Sequence, residues 1–200
     1  YTNSTSVTLT LASTGASQMR FKNDSGSWSS YESYATSKSW TLMNSQGTRT
    51  VSVQFKDALG NAAAAVSDTI DFDSVAPTMI LSSSAVADGG THNAAVTMTF
   101  TSNESTSNFV EGDISVTNGT LSSFTALNST TYTATITPSG SSPSVMVGAN
   151  KFTDGPGNNN TTSNTYNWTH DATPPTMTLT SSAVADGGTH NAAVTMTFTS

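Results

Sequence analysis

Twenty consecutive residues, SSAVADGGTHNAAVTMTFTS, occur twice, at 83–102 and again at 181–200. Extending the match back to the prolines aligns 77–102 with 175–200 and leaves two differences, Ile80 against Thr178 and Ser82 against Thr180. Ala85 and Ala183 are equivalent, which sets a period of 98 residues. That period is too long for a helical or leucine-rich solenoid unit and suits one independently folding domain. The chain therefore reads as a window on a tandem array.

Two seams divide it, Asp71-Phe72-Asp73-Ser74-Val75-Ala76-Pro77 and His170-Asp171-Ala172-Thr173-Pro174-Pro175. Each sets acidic residues ahead of a proline, which lacks an N–H and suits the opening of an edge strand. The expected organisation is a first module over 1–75, a complete repeat over 76–173, and the first two strands of a further copy over 174–200. In the repeat, Val96, Met98 and Phe100 alternate with threonines, as do Tyr132, Ala134 and Ile136, and Val145 with Val147. Turn signals at Asp88-Gly89-Gly90, Asn118-Gly119 and Pro138-Ser139-Gly140 separate such runs. Seven strands follow, at 78–82, 95–101, 113–117, 121–126, 131–137, 144–148 and 164–169. Short strands at this spacing describe an antiparallel sandwich. The first module carries its own alternation, Val7-Leu9-Leu11, Met19-Phe21, Trp40-Leu42 and Val51-Val53-Phe55, and reads as a second sandwich lacking its first strand. The fold class is all-β, with tandem antiparallel β-sandwiches as the expected architecture.

Composition narrows the function classes. About a third of the residues are Ser or Thr, 10% are charged, and Cys is absent. The net charge of −7 and the lack of any basic stripe oppose a phosphate backbone, so nucleic acid is not an expected partner. No apolar run approaches the roughly 20 residues of a membrane-spanning helix. Zero Cys excludes a disulfide framework and, for a surface protein, favours a prokaryotic source.

The APT start, the VADGGT loop, the VTMTF strand, FVEGDISVTNGTLSSF, TYTATITP and the FTDGPGN turn resemble the immunoglobulin-like repeats of large bacterial and archaeal surface proteins. The first module, with RFKNDSGSWSSYESYA, VSVQFKDALGN and the DSVAP exit, resembles another immunoglobulin-like or fibronectin-like module of such proteins. The resemblance implies an extracellular or cell-surface location, neighbouring domains of the array as partners, other copies where a fibre forms, and Ca²⁺ at domain junctions.

Raw material for catalysis is scarce. There are three His, two of which, His92 and His190, are one position in two repeats, and no nucleophile-elbow pattern occurs. No enzyme activity is expected. The better chemical signal is a recurring turn, Phe55-Lys-Asp57-Ala-Leu-Gly60-Asn61 and Phe152-Thr-Asp154-Gly-Pro-Gly157-Asn158. One reading makes Asp57 and Asp154 turn caps. The other makes them part of a Ca²⁺ site, since that ion takes six to eight oxygens, with Asp154 and its turn carbonyls meeting the seam acids, Asp171 in the second module and Asp71 or Asp73 in the first. Asp88 and Asp186 in the ADGG turns are weaker candidates.

Asn-X-Ser/Thr occurs at Asn3, Asn23, Asn103, Asn118, Asn128, Asn159, Asn160 and Asn167, which are candidate glycan acceptors. Trp28, Tyr31 and Tyr34 in a Ser-rich stretch either stack on a sugar ring or cover a sandwich edge. The expected role is a non-catalytic stalk or fibre for adhesion or cell-surface structure. Two alternatives are a carbohydrate-binding or spacer module of a secreted hydrolase and a strand-exchanging subunit of an extracellular filament.

Overall fold

Strand alternation organises the whole chain, which a computed structural model describes over residues 1–200 with one 3-10 turn, Glu111–Asp113, among its strands. The first module contains β1 (Ser6–Thr10), β2 (Gln18–Asn23), β3 (Glu32–Ser33), β4 (Ser37–Thr41), β5 (Gly47–Lys56) and β6 (Val66–Phe72). One sheet has the order β3-β2-β5-β6 and faces the β1-β4 pair. Along β2, Met19 and Phe21 are buried while Arg20 and Lys22 alternate with them on the outer face. Met19, Phe21 and Val53 form the core, and Trp40 closes it with its ring 5.3 Å from that of Phe21. No strand pairs with the second edge of β1, and a groove of about 450 Å³ opens between β1 and β5–β6.

The repeat contains β7 (Met79–Ser82), β8 (Thr91–His92), β9 (Val96–Ser102), β10 (Ile114–Thr117), β11 (Gly119–Ala126), β12 (Thr131–Pro138), β13 (Ser144–Val147), β14 (Tyr166–Asn167) and β15 (Thr169–His170). Its two antiparallel sheets have the orders β11-β12-β9-β7 and β10-β13-β14. Four strands against three in this order is the constant-type immunoglobulin sandwich. The seven strands expected from the pattern are present. The pattern missed β8 and β15, a parallel pair of two residues each, too short to show a period.

The core between the sheets holds fifteen buried residues. Val96, Met98 and Phe100 of β9 interleave with Tyr132, Ala134 and Ile136 of β12, and Val145 and Val147 of β13 close the other side. Phe109, on the connection between the sheets, sits at the centre of four rings: Tyr132 at 5.0 Å, Phe152 at 5.3 Å, Phe124 at 5.7 Å and Phe100 at 5.9 Å. The Tyr132 hydroxyl donates to the Thr106 carbonyl at 3.0 Å, and burial raises its pKa above the ordinary phenol value.

Residues 174–200 form one hairpin, β16 (Thr178–Thr180) with β17 (Thr197–Thr199). Leu179 faces Phe198 in the register that Leu81 and Phe100 share in the repeat. Register is reproduced, but burial is not: Phe100 is 0% exposed and Phe198 67%. Two strands contain their pairing information but no opposite sheet to cover them.

The packing predicts a contrast between two apolar positions of the repeat. Phe109→Ala removes the ring that the other four contact and should cost about 3–5 kcal/mol. In calorimetry of the 1–200 chain, the repeat's transition should fall by at least about 10 °C. Ile80→Thr, at a position 63% exposed, should change stability by less than about 0.5 kcal/mol. Equal shifts for both variants would contradict this account of the core.

Candidate functional site

Where the first module meets the repeat, three chain segments bring carboxylates together. Asp73 leaves β6 after Phe72, Glu104 follows the end of β9, and Asp154 opens the turn before the last strands of the repeat. The ligand atoms of Asp73, Glu104 and Asp154 all lie within 4.8 Å of one another.

Each segment is held by local hydrogen bonding. Asp73 Oδ1 accepts the Val75 N–H at 3.0 Å, a small turn that aims the chain into Pro77. The Asn103 side chain ties the end of β9 to the start of β7, accepting the Thr78 N–H at 2.6 Å. Asp154 is 6% exposed; its Oδ1 accepts the Gly157 and Asn158 N–H groups at 2.8 Å each, and its Oδ2 accepts the Asn158 amide at 2.8 Å. Gly157 has φ +98°, a left-handed conformation that a side chain would strain. Asn158 Nδ2 also donates to the Asp73 carbonyl at 2.9 Å, joining turn to seam. On the other flank the Tyr1 ring packs over Gly155, 3.8 Å from where a Cβ would stand.

Electrostatics single out Glu104. Burial, and then the negative charges of Asp73 and Asp154, raise its pKa above the usual glutamate value. The Asp57 turn repeats the Asp154 geometry: Oδ1 accepts the Leu59 and Asn61 N–H groups, Oδ2 accepts the Asn61 amide, and Gly60 has φ +96°. There the Asn61 side-chain amide and then its backbone N–H lower the carboxyl pKa.

Of the seam acids that the sequence offered to Asp154, the structure brings Asp73 to it, and neither Asp71 nor Asp171. In an antiparallel sandwich the turn before the last strands and the start of the first strand lie at one end, and the exit seam lies at the other. Asp71 stays within the first module, accepting from the Thr48 hydroxyl across β5–β6. Asp171 caps its own seam by accepting the Thr173 N–H at 2.9 Å, a bond that leads in lowering its pKa. Asp88 accepts the Asn167 N–H, and Asp186 lies in the loop of the terminal hairpin; neither belongs to the carboxylate group. Glu104 was missed because repetition could not point to it: the recurring stretches 83–102 and 181–200 do not reach that position. The signal available was register, since Met79 opposite Ser102 carries the chain after β9 back alongside the seam.

The other candidates divide. Asn160 is 2% exposed and accepts the Lys151 and Phe152 N–H groups while donating to the Gly148 and Thr161 carbonyls. It is an internal brace with no room for a glycan. Asn23 bridges Trp40 Nε1 and the Thr41 carbonyl, and Asn103 and Asn118 also have committed side chains. Asn3, Asn128, Asn159 and Asn167 are exposed. Tyr34 covers the sandwich edge, its hydroxyl accepting the Ser13 N–H and its ring edge-on to Phe55. Trp28 has Arg20 and Lys22 over its ring, and Tyr31 has Arg20 and Lys56 over its own. The groove between β1 and β5–β6 is lined by ten hydrophobic residues with Asp68 its single titratable group, so no acid–base pair addresses it.

The family comparison agrees with the sandwich topology. A family model described as a bacterial Ig-like domain matches residues 73–169. No curated protein matches the chain. Among solved structures, the chain is similar to invasin, described as a bacterial integrin-binding protein, at 16% identity and a TM-score of 0.38. That match covers 88% of this chain and 38% of invasin. From Asp73 at the junction to Thr169 beside β8, the repeat is similar to the bacterial immunoglobulin-like domains that this family model describes.

Proposed function

We propose that this chain is a length of a non-catalytic extracellular stalk, built from sandwiches that hold one another in line. The observation that carries the reading is the built junction. The Asn158 amide reaches the Asp73 carbonyl and Tyr1 packs on Gly155; within the first module, Thr2 exchanges backbone hydrogen bonds with Asp71 and Asp73 at 2.9 and 3.0 Å, which holds Tyr1 beside the seam. A flexible tether would leave such groups in water. The period of 98 residues supports a series of like junctions, with Asp171 standing one period after Asp73. Scattering from the 1–200 chain should give an elongated particle with a narrow distribution of lengths, broadened by Asn158→Ala. A compact particle with the two sandwiches side by side would sink the reading.

The junction also supports a divalent cation as part of the stalk, Ca²⁺ in particular. Asp73, Glu104 and Asp154 offer hard oxygen donors without His or Cys, the chemistry this ion prefers. Three carboxylates at this spacing repel one another when ionised, and a cation would remove both the repulsion and the raised Glu104 pKa. Bound, it would fasten a seam residue to two loops of the next domain.

The sign of the pH dependence follows. Glu104 titrates above its unfolded value, so its stabilising effect is complete below the model-peptide value of 4.5 and is lost as pH rises through the folded pKa. Asp57 and Asp171, with lowered values, act in the opposite sense, so the Glu104→Gln difference isolates the effect. Without divalent ions, the repeat's melting temperature should fall across that window in wild type and not in Glu104→Gln. Millimolar Ca²⁺ should restore it at neutral pH, by about 2.7 kcal/mol at a hundredfold excess over Kd, and do little in acid. Identical melting in Ca²⁺ and in chelator at neutral pH would remove the ion from the proposal.

A second reading is strand exchange between chains, favoured by the open groove of the first module together with the hairpin's exposed Met177, Leu179 and Phe198. Concentration-dependent association of residues 1–200 that disappears on deleting 174–200 would establish it. A monomer at all concentrations would dismiss it.

A further inference from the structure

The outer face of the first module's larger sheet has the opposite charge character to the rest of the chain. Five of the six cationic residues lie before residue 75, in a protein of net charge −7. Arg20 and Lys22 of β2 and Lys56 of β5 alternate with the buried Met19, Phe21 and Val53 side of the sheet. The segment between β2 and β3 brings Trp28 and Tyr31 over these cations. Lys22 Nζ is 5.2 Å from the Trp28 ring centre, and Arg20 Cζ is 4.9 Å from Trp28 and 4.7 Å from Tyr31. Lys56 Nζ is 4.0 Å from Tyr31. The five side chains therefore form one row, in the order Lys22, Trp28, Arg20, Tyr31, Lys56.

None of these three cations makes an ion pair; the two pairs in the protein are Lys38–Glu32 and Arg49–Asp24. Arg20 is fixed by its bond to the Gln54 amide oxygen, which the Tyr31 hydroxyl shares at 3.1 Å, whereas the Lys22 and Lys56 ammonium groups have no hydrogen-bond acceptor. Holding the loop does not require the cations. Ser29 N–H donates to the Phe21 carbonyl at 2.7 Å and Ser29 Oγ accepts the Phe21 N–H, so backbone bonding already anchors it. Three like charges lined up without counter-charge repel one another, and the aromatic rings fix their spacing.

We propose that this row binds an acidic polysaccharide, with one ring carboxylate or sulfate per cation. A polyanion supplies the missing counter-charges all at once. The exposed hydroxyls of Ser25, Ser27 and Ser30 beside the row suit sugar hydroxyls. Because the rings already have cations over them, recognition is by spaced charge and edge hydrogen bonding rather than by stacking, which separates the site from a single-stranded nucleic-acid platform.

Affinity electrophoresis of the 1–200 chain tests this, with polygalacturonate and dextran sulfate as probes and neutral dextran, polyglutamate and oligo-dT as comparisons. The expected result is retardation by the acidic glycans alone, weakening with salt. Lys22→Gln/Lys56→Gln, which removes no hydrogen bond within the protein, should weaken it by at least about tenfold with an unchanged melting curve. Lys151→Gln, on the repeat, should leave it unchanged. Three outcomes would overturn the proposal: no retardation, retardation that survives the double substitution, or equal retardation by polyglutamate or oligo-dT. The readout is independent of molecular shape, so it stands or falls separately from the stalk.

Discussion

Everything in the repeat depends on one constraint: a chain about one-third Ser and Thr has few apolar side chains, and each strand must deliver them to a single face. β9 does this without exception, with Val96, Met98 and Phe100 inward and the threonines between them outward or at the margin. Threonine suits the outer positions because its β-branched side chain favours extended backbone while its hydroxyl stays solvated. The result is a thin core in which one aromatic, Phe109, joins rings of β9, β11 and β12 to Phe152 in the segment after β13. Sheet-to-sheet burial then fixes where the loops emerge, and so where the chain can meet its neighbour.

The junction is a consequence of that topology. An antiparallel sandwich returns the end of β9 and the turn before the last strands to the end at which β7 begins. Glu104 and Asp154 are thereby delivered to Asp73, far apart in sequence but adjacent in space. The Asp-x-x-Gly-Asn turn is self-contained, as its twin at Asp57 demonstrates: the carboxylate is filled by amide donors and a left-handed glycine closes the loop. The turn is thus a folding device first. Its second property, presenting a buried carboxylate next to two others, exists only where a preceding seam abuts it.

The first module illustrates the same division on its outer face. Alternation along β2 requires Arg20 and Lys22 to point away from Met19 and Phe21, but only the return of the following segment places Trp28 and Tyr31 over them. In the same module Tyr34 is drawn into the sandwich edge against Phe55. Three aromatics spaced three residues apart, Trp28, Tyr31 and Tyr34, thus divide between two roles, which their spacing does not distinguish.

The sequence by itself determined the strands, their faces and the turns. Period-2 alternation is a local property of extended backbone, and Gly-Asn and Asn-Gly report local dihedral needs. It also determined the repeat register, so that β16 and β17 pair as β7 and β9 do. Tertiary structure decided burial and company. The same Phe is 0% exposed at position 100 and 67% at 198, because five further strands cover only the first. Asn160, a glycan candidate by its three-residue motif, became a brace because the turn closed around it. Asp154 met Asp73 rather than Asp171, and Glu104 joined them. Which end of a sandwich a loop occupies is set by the path of every strand between, a non-local quantity that no short stretch of residues contains.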